Sequence, residues 1–312
     1  MKHQEKMTYR EVYAEGVARL TAADIDEAAL DARLLLEYVC GTDRNTLLVH
    51  GDREVSGEED ERYQLLIEKR GQHIPLQHLT GEQDFMGLTF KVNEHVLIPR
   101  QDTEILVEEV MKNLHDGMCV LDMCTGSGCI LLSLLQYSND CVGVGVDLSA
   151  EALAVARENY AGLKENKPEM DAVFLQGNLF EALEALNGAD RNRETVGDLD
   201  IRDHSEKVPK KFDIIVSNPP YIRTGVIDTL MPEVREHEPL MALDGMADGL
   251  YFYREITKRA KTYLNPGGML YYEIGYDQAA DVTEILAQEG FRGMEVVQDF
   301  AGLDRVVCGM YY

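Results

Sequence analysis

Residues 118–136 have the sequence MCVLDMCTGSGCILLSLLQ, and this stretch decides the fold. The apolar run 118–123 predicts a buried strand, and the apolar residues after the glycines predict a helix. Between them lies a tight turn with Gly126 and Gly128, which have no Cβ atom and so let backbone atoms approach a ligand closely. A strand, a glycine turn and a helix in this order are typical of the first unit of a nucleotide-binding α/β sheet.

Strand and helix patterns alternate from Met118 onward, which is typical of a mostly parallel, doubly wound sheet. The strands of this alternation are predicted at 118–123, 141–147, 172–176, 212–217 and 267–274. Two later apolar stretches, 294–298 and 305–310, are too close together for a helix between them. We therefore predict an α/β fold whose sheet ends in an antiparallel strand pair.

The first 75 residues have a helical pattern instead. Residues 24–40 carry apolar side chains at helical spacing, and Gly41 is a suitable helix stop. Ser56 precedes Glu59 by three positions, the pattern of a capping box at the start of another helix. Short amphipathic helices can bury one shared face, so residues 1–75 are predicted to form a small helical domain, either a docking or a structural module.

The remaining boundaries follow from local composition. Residues 76–100 are predicted to form a linker with a β-hairpin, because Gly81 and Gly87 interrupt a strand-like pattern of apolar residues there. The sheet domain is then assigned to residues 101–312. Within it, residues 187–211 are polar and charged, and we predict a mobile surface insertion rather than a regulatory loop.

The formal net charge of −26 limits the classes of partner. Nucleic acids are held largely by Lys and Arg side chains that neutralise phosphates, and the sequence has no clustered basic run. A protein or small-molecule substrate, such as one with a basic surface, is therefore favoured over direct binding of nucleic acid.

Location and metal content are also constrained. The first ten residues are polar and charged, unlike an ordinary signal peptide, and no apolar run approaches the roughly 18–20 residues that span a bilayer. A soluble cytoplasmic protein with no membrane partner is expected. The six cysteines include no CxxC pair and no nearby histidine at ligand spacing, so we predict small buried thiols and no metal site.

The end of the second strand indicates a nucleotide-type cofactor. Asp147 follows the glycine turn by about twenty residues, where a carboxylate can accept hydrogen bonds from both hydroxyls of a ribose. The spacing C-T-G-S-G differs from the G-x-G-x-x-G fingerprint of dinucleotide sites, and Asp122 adds a negative charge two positions before the turn. These features favour S-adenosylmethionine, which has no phosphates and one positively charged end, over NAD.

A second motif, Asn218-Pro219-Pro220-Tyr221, follows the predicted fourth strand. The prolines cannot continue a β-ladder, so they end the strand and aim their neighbours rigidly beside the cofactor crevice. The Asn218 side-chain oxygen and the Pro219 carbonyl can accept both N–H protons of an amide or aryl amine. We expect this to direct the nitrogen lone pair at the cofactor's methyl group, with the Tyr221 ring packed on the planar substrate group.

The tetrapeptide is similar to that of amino-group methyltransferases generally, including the N6-adenine enzymes of DNA and RNA. The chain as a whole resembles a narrower family, the HemK/PrmC release factor glutamine N5-methyltransferases, over nearly its full length. The matching segments are 31–36, 75–81, 85–92, 97–104, 122–128, 146–149, 177–180, 217–222, 238–249 and 299–307.

The resemblance implies a class I, Rossmann-like methyltransferase fold with S-adenosylmethionine as cofactor and S-adenosylhomocysteine as product. It implies methylation of the side-chain N5 of the glutamine in the GGQ motif of peptide chain release factors, with the N-terminal helical domain docking the release factor. The segment 99–104 would lie over the cofactor and substrate channel, and we expect a monomer.

Candidate site residues combine the motif chemistry with the resemblance. The predicted catalytic residues are Asn218, Pro219 and Tyr221, and the predicted substrate-binding residues are Asn218, Pro219, Pro220 and Tyr221. The predicted cofactor-binding residues are Asp122, Cys124, Thr125, Gly126, Ser127, Gly128, Asp147, Asn178, Leu179 and Asn218, with Asn178 and Leu179 near the adenine.

Several positions depart from the usual family pattern. Cys124 stands where glycine is common, so either the loop avoids a positive φ there or the site is slightly reshaped. Gln101 replaces a frequent proline, Asn178 a frequent aspartate, and Leu303 a frequent basic residue. None of them belongs to the catalytic tetrapeptide, so the reaction is expected to be retained.

Three other functions stay open at this point. A nucleic-acid adenine N6-methyltransferase would use the same tetrapeptide, but the acidic charge and the lack of a target-recognition domain disfavour it. A non-catalytic adaptor that binds the cofactor is disfavoured by the intact tetrapeptide. An NAD oxidoreductase is disfavoured by the glycine spacing and by the lack of a residue suited to hydride transfer.

Overall fold

The structure is a computed structural model in which the chain divides into two compact units. The described residues are 7–188, 195–196, 199–200 and 208–312. One unit comprises Met1–Glu82 and Met231–His237, and the other comprises Gln83–Leu230 and Glu238–Tyr312. Within the described ranges, no helix is long and apolar enough to cross a membrane.

The first unit is helical. Its helices are α1 (Tyr9–Ala22), α2 (Ala28–Cys40), α3 (Arg44–Val49), α4 (Gly57–Arg70), α5 (Leu76–Thr80) and, tenth in chain order, α10 (Pro232–His237). Ser56 caps α4 by accepting a hydrogen bond from the Glu59 backbone N–H, while the Glu59 side chain accepts one from the Ser56 backbone. Gly41 ends α2 in the left-handed region, with φ of 56°. The predicted capping box and helix stop are therefore both present.

Close packing of α1, α2 and α4 forms the core of this unit. A Cβ atom on Gly16 of α1 would lie 2.0 Å from the Tyr63 hydroxyl oxygen of α4, so the approach of these helices requires glycine. The buried Tyr63 hydroxyl donates a hydrogen bond to the Ala32 carbonyl of α2 at 3.1 Å. One tyrosine thereby joins three helices.

A largely buried ion-pair network includes α10 in the same unit. The Arg70 side chain donates to the Asp31 carboxylate at 2.7 Å and to the Glu233 carboxylate at 3.1 Å. His73 Nδ1 lies 3.0 Å from the same Glu233 oxygen. Arg70 and Glu233, which are 163 positions apart in the sequence, thus meet within the helical unit.

The second unit contains a seven-stranded mixed sheet. Two short two-stranded sheets, β1 (Glu82–Phe85) with β2 (Leu88–Lys91) and β6 (Thr195–Val196) with β7 (Leu199–Asp200), lie outside it. The strands of the large sheet are β3 (Cys119–Met123), β4 (Val142–Asp147), β5 (Asp171–Gln176), β8 (Phe212–Ser217), β9 (Leu264–Glu273), β10 (Arg292–Gln298) and β11 (Asp304–Met310). Their spatial order is β10-β11-β9-β8-β3-β4-β5. Within the run β9-β8-β3-β4-β5, each strand pairs in parallel with its neighbours. β11 pairs antiparallel with both β9 and β10.

Helices and apolar clusters cover both faces of this sheet. The helices are α6 (Gln101–Met111), α7 (Cys129–Gln136), α8 (Ala150–Asn166), α9 (Glu181–Gly188), α11 (Leu240–Leu243), α12 (Tyr251–Tyr263), α13 (Ala279–Gln288) and a 3₁₀ helix at Thr224–Thr229. Leu121 of β3 is buried in one apolar cluster, and its neighbour Val120 is buried in another. Because successive strand residues face opposite sides, a central strand covered on both faces is apolar throughout.

The predicted fold is confirmed, including the parallel strands and the terminal antiparallel pair. The predicted start of β9 at 267 is wrong by three residues, because the strand begins at Leu264. Residues 76–80, predicted to begin the linker, instead form the helix α5. The predicted mobile insertion at 187–211 lies mostly outside the described residues.

Candidate cofactor and substrate site

A cavity of about 530 Å³ lies at the carboxyl ends of the parallel strands. Cofactor sites typically have volumes of roughly 300–1,000 Å³, and in open α/β sheets ligands bind at this edge. The cavity is lined by the glycine turn after β3, the end of β4, the turn after β5 and the start of the tetrapeptide after β8. Segments that are separate in the sequence therefore converge on one site.

The glycine turn adopts left-handed backbone conformations at Cys124, Gly126 and Gly128, with φ values of 63°, 55° and 79°. Of the two alternatives predicted for Cys124, avoidance of a positive φ is therefore excluded, and a slightly reshaped site stays a prediction. A left-handed conformation costs a non-glycine residue about 1–2 kcal/mol, so Cys124 stores backbone strain at the cavity wall. A hydrogen bond from the Thr125 N–H to the Val146 carbonyl, 3.0 Å long, holds the turn against β4.

The two glycines of the turn have different roles. An ideal Cβ atom on Gly126 would meet no heavy atom of the described structure within 4 Å, so its backbone faces open space in the cavity. A Cβ atom on Gly128 would lie 3.2 Å from the Leu132 side chain and 3.3 Å from Ala156 Cβ. Gly126 thus permits close approach of a ligand, whereas Gly128, predicted to contact the cofactor, permits the packing of α7 against α8.

We expect Cys124→Gly to be more stable than Cys124→Ala by about 1 kcal/mol in the free energy of unfolding. Both substitutions remove the thiol, but only glycine adopts a φ of 63° without strain. Denaturant-induced unfolding of the two variants measures the difference.

The control is Ala161→Gly, at an exposed position inside α8. Replacing alanine with glycine in a helix interior should lower the free energy of unfolding by about 1 kcal/mol. This is the opposite of the effect expected at position 124, where glycine should be more stable than alanine. A Cys124→Ala variant as stable as Cys124→Gly would contradict the left-handed conformation at this residue.

Asp147 ends β4 and lines the cavity. Its Oδ2 atom accepts a hydrogen bond from the Gly126 N–H and its Oδ1 atom from the Ser149 N–H, both at 2.9 Å. Burial raises the pKa of Asp147, while these backbone hydrogen bonds act in the opposite direction. Each carboxylate oxygen keeps acceptor capacity for a ligand hydroxyl, which is the role predicted for this residue.

Asp122 lies beneath the cavity and has no exposed surface. Its Oδ2 atom accepts a hydrogen bond from the Thr125 hydroxyl at 2.6 Å, and its Oδ1 atom has no partner among the described residues. Burial raises the pKa of Asp122 to about 7, and the nearby Asp147 charge acts in the same direction. The prediction that Asp122 meets the charged end of the cofactor directly is not consistent with this burial, because Thr125 lies between the carboxyl group and the cavity.

Ser127, Asn178 and Leu179 all line the cavity, as predicted for cofactor contacts. The Ser127 hydroxyl is buried and has no well-formed hydrogen bond in the described structure. The Asn178 side chain donates to the Glu181 carboxylate at 3.3 Å. Leu179 has a φ of 52°, so a second strained non-glycine residue lies at the cavity wall.

The tetrapeptide is divided between the cavity and the core. Asn218 and Pro220 line the cavity, whereas the described lining does not include Pro219 or Tyr221. The Tyr221 side chain is partly buried against the core, and its hydroxyl donates to Glu273 Oε1 at 3.3 Å. Asn218 Nδ2 donates to the Thr103 hydroxyl oxygen at 3.5 Å, which leaves the Asn218 Oδ1 atom free to accept.

The sequence motifs did not identify several residues that line the cavity or hold its lining residues, among them Arg100 and its partner Glu238. Arg100 donates to both carboxylate oxygens of Glu238 at 2.7 Å, and the Ile98 N–H donates to Glu238 Oε1 at 3.4 Å. Thr103 and Phe252 also line the cavity. Arg100 and Thr103 lie in the segment that the resemblance placed over the channel, but no local pattern identified their individual contacts.

The six cysteines are free thiols, and the prediction that they are buried is right for only three of them. The buried ones are Cys129, Cys141 and Cys308, and the partly exposed ones are Cys40, Cys119 and Cys124. Burial raises the pKa of Cys129 to about 12, so this thiol stays protonated at neutral pH. In the part of the chain that the structure describes, no three His, Cys, Asp or Glu side chains are grouped to hold a metal ion.

The cavity has the groups that S-adenosylmethionine requires. Asp147 offers acceptors for a ribose, and Gly126 leaves room beside the backbone. Leu148 and Leu179 provide apolar surface suited to an adenine ring. The residues therefore fit this cofactor.

Comparisons with known proteins identify the family of the chain. A family model described as the PrmC N-terminal domain matches residues 11–81, and one described as a methyltransferase domain matches residues 114–298. The release factor glutamine methyltransferase of Caulobacter vibrioides is 40% identical over 94% of this chain and 92% of that protein. Proteins of the same name from Clostridium acetobutylicum and Clostridium botulinum are 40% and 36% identical, over 90% and 98% of this chain and 90% and 100% of their own lengths. The chain belongs to the release factor glutamine methyltransferase family.

Proposed function

We propose that this protein transfers the methyl group of S-adenosylmethionine to the side-chain N5 of the glutamine in the GGQ motif of peptide chain release factors. The observation that carries the proposal is the convergence of Asn218 and Asp147 on one cavity, which brings an amide-recognition motif beside a ribose-binding carboxylate. Membership of the family supports the same reaction.

The cofactor supplies a methyl group made electrophilic by the positive sulfur that bears it. The proposed role of Asp147 is to accept hydrogen bonds from the ribose hydroxyls, and that of Ser127 is to donate one to the cofactor or accept one from it. Asn178 and Leu179 are proposed to contact the adenine. For Asp122 we propose an indirect role, in which its carboxyl group fixes the Thr125 hydroxyl below the cavity floor.

For the substrate, we propose that the Asn218 Oδ1 atom and the Pro219 carbonyl accept the two N–H protons of the glutamine amide. Such acceptors stabilise the positive charge that develops on nitrogen, and they hold its lone pair toward the methyl group. Pro220 is proposed to shape the wall beside the amide. Tyr221 completes the substrate-binding set, with its ring position defined by the hydrogen bond from its hydroxyl to Glu273.

The organisation of the chain leads to further proposals. Residues 1–75 are proposed to dock the release factor and residues 101–312 to carry the reaction, with residues 81–100 linking them after α5. We propose that the enzyme acts as a monomer in the cytoplasm, where translation is terminated. The charge of −26 supports a protein substrate rather than direct contact with nucleic acid.

A methyl-transfer assay with labelled S-adenosylmethionine tests the reaction. We expect label on a purified release factor, and none on its variant with alanine in place of the GGQ glutamine or on duplex DNA. Label on DNA alone would make the adenine N6-methyltransferase the correct function. Cofactor binding without transfer to any substrate would favour the non-catalytic adaptor.

A further inference from the structure

Gln278 is a buried glutamine at the N-terminus of α13, and only 2% of its surface is exposed. Glutamine is mostly found at protein surfaces, and burial of its amide is costly unless the amide is hydrogen-bonded. Gln278 is the N-cap residue of α13, yet its side chain makes no capping hydrogen bond in the described structure. The contacts that it makes instead indicate what it does.

Backbone groups from three separate segments hold the Gln278 amide. Its Nε2 atom donates to the Tyr221 carbonyl at 3.1 Å and to the Gly249 carbonyl at 3.2 Å. Its Oε1 atom accepts from the Gly275 N–H at 2.9 Å. Because a backbone N–H only donates and a carbonyl only accepts, these contacts define which end of the amide is the nitrogen. Gln278 thus joins the last residue of the tetrapeptide to the segments around Gly249 and Gly275.

The backbone is closely packed around the Tyr221 carbonyl. A Cβ atom on Gly249 would lie 2.4 Å from the Tyr221 carbonyl oxygen and 2.7 Å from Gln278 Nε2. Gly249 also has a φ of 75°, so this approach requires glycine. The next residue, Ile222, donates its N–H to the Leu243 carbonyl at 3.0 Å. The chain that leaves the tetrapeptide is therefore fixed by direct contacts, in which the Gln278 side chain takes part.

The tetrapeptide needs support at its ends because of its two prolines. Pro219 and Pro220 have no backbone N–H, so neither can be held by donating a hydrogen bond. Before them, Ser217 of β8 pairs with residues of β3 and β9. After them, Gln278 holds the Tyr221 carbonyl. Since the rings fix φ of both prolines near about −65°, the direction of the Pro219 carbonyl depends on where these two ends are held.

We propose that Gln278 is a positioning residue that fixes the tetrapeptide backbone at Tyr221 and thereby directs the Pro219 carbonyl at the substrate amide. This inference rests on the proposed function, in which that carbonyl accepts one N–H proton of the glutamine. A misplacement of about 1 Å at a reacting group can lower a rate about 100-fold, so the hold on the backbone affects the reaction. Gln278 is not among the described residues that line the cavity, and it acts through Tyr221.

The first test is Gln278→Met, which keeps an unbranched side chain of similar length and removes the amide. We expect kcat for release factor methylation to fall at least about tenfold, because the Pro219 carbonyl loses its fixed direction in the transition state. The KM for the release factor and the Kd for S-adenosylmethionine should stay within about threefold of wild type. The matched control is Gln288→Met, the same change at the exposed end of α13, which should keep wild-type kcat.

A second variant, Gln278→Asn, keeps an amide but shortens the side chain by one C–C bond, about 1.5 Å. Its NH₂ group then falls short of the Tyr221 carbonyl, so kcat should fall as in Gln278→Met. Asparagine is a favoured N-cap residue, which supports the folding of α13 in this variant. If Gln278→Met is unfolded, Gln278→Asn still decides the question, with Gln288→Asn as its control.

An NMR measurement tests the contact without any methyl transfer. The dipeptide Tyr-Ile occurs once in the sequence, at Tyr221-Ile222. Protein labelled with ¹³C at the tyrosine carbonyl and with ¹⁵N in isoleucine therefore gives one signal through the peptide bond, that of the Tyr221 carbonyl carbon. This signal should shift when the hydrogen bond from Gln278 is lost, and it should stay in place in the Gln288 controls.

The two measurements together decide the role of Gln278. A shifted Tyr221 signal with wild-type kcat would overturn the positioning role, and so would an unshifted signal in Gln278→Met. A fall in cofactor affinity as large as the fall in kcat would also overturn it, because general damage to the fold would then explain both. Absence of methyl transfer by the wild-type protein would refute the proposed function, whereas the Tyr221 signal would still report on the contact.

Discussion

Replacing Asn218 with alanine is expected to lower kcat for release factor methylation by about 10²–10³-fold, the typical loss when one transition-state hydrogen-bonding group is removed. The Asn218 Oδ1 atom is the acceptor free to face the substrate, since Nδ2 is engaged by Thr103. Its contribution should be greatest when positive charge develops on the glutamine nitrogen, so the loss should appear in kcat more than in ground-state binding. Steady-state kinetics with labelled cofactor and purified release factor measure the effect.

The control for this variant is Asn166→Ala, at the exposed end of α8 and outside the cavity lining as described. It should keep wild-type kcat. The Kd of Asn218→Ala for S-adenosylmethionine, measured by calorimetry, should lie within about threefold of wild type. A fall in cofactor affinity as large as the fall in kcat would contradict the substrate-binding role of Asn218.

Replacing Asp147 with asparagine is expected to raise the Kd for S-adenosylmethionine about 100-fold. Hydrogen bonds to a charged acceptor contribute about 1.5–3 kcal/mol, and each 1.4 kcal/mol is a factor of ten in Kd. The new NH₂ group would also face the N–H of Gly126 or Ser149, because each carboxylate oxygen now accepts from one of them. Calorimetric titration should show a raised Kd for both S-adenosylmethionine and S-adenosylhomocysteine in Asp147→Asn.

Asp281→Asn is the control for Asp147→Asn, since it makes the same chemical change at an exposed position in α13. Its cofactor affinity should equal that of wild type. At saturating cofactor, Asp147→Asn should recover most of its kcat, because the residue is proposed to bind the ribose and not the methyl acceptor. Wild-type affinity in Asp147→Asn would show that the ribose lies elsewhere.

Local rules account for the features that the sequence predicted well. The central strands β3, β4 and β8 are covered on both faces, so each is mostly apolar, with Asp122 in β3 and Asp213 in β8 as the internal exceptions, and this pattern is visible without any knowledge of the neighbouring strands. The capping box at Ser56 and the terminal strand pair likewise depend on spacing alone. The position of Asp147 at the end of β4 was predicted because a strand and the residue that ends it are adjacent in the chain.

Position within a motif did not predict what each residue contacts. Asp122 and Gly128 belong to the glycine turn, yet Asp122 is buried beneath Thr125, and the space next to Gly128 is filled by α7 and α8. Cys124 adopts a positive φ although its side chain disfavours it, because the hydrogen bonds around the turn and the packing around it outweigh a cost of about 1–2 kcal/mol. Such outcomes depend on the sum of many contacts.

The sequence by itself determined the sheet, the glycine turn, the carboxylate that ends β4 and the tetrapeptide that follows β8, because each of these is a local pattern of side-chain period or turn chemistry. Only the tertiary structure decided how the tetrapeptide is held. Thr103 and Asn218 are 115 residues apart in the sequence, and Tyr221 and Glu273 are 52 apart. No periodicity relates such positions. Tyr221 meets Glu273 because the sheet brings the carboxyl ends of β8 and β9 side by side, whereas Thr103 reaches Asn218 from the first turn of α6.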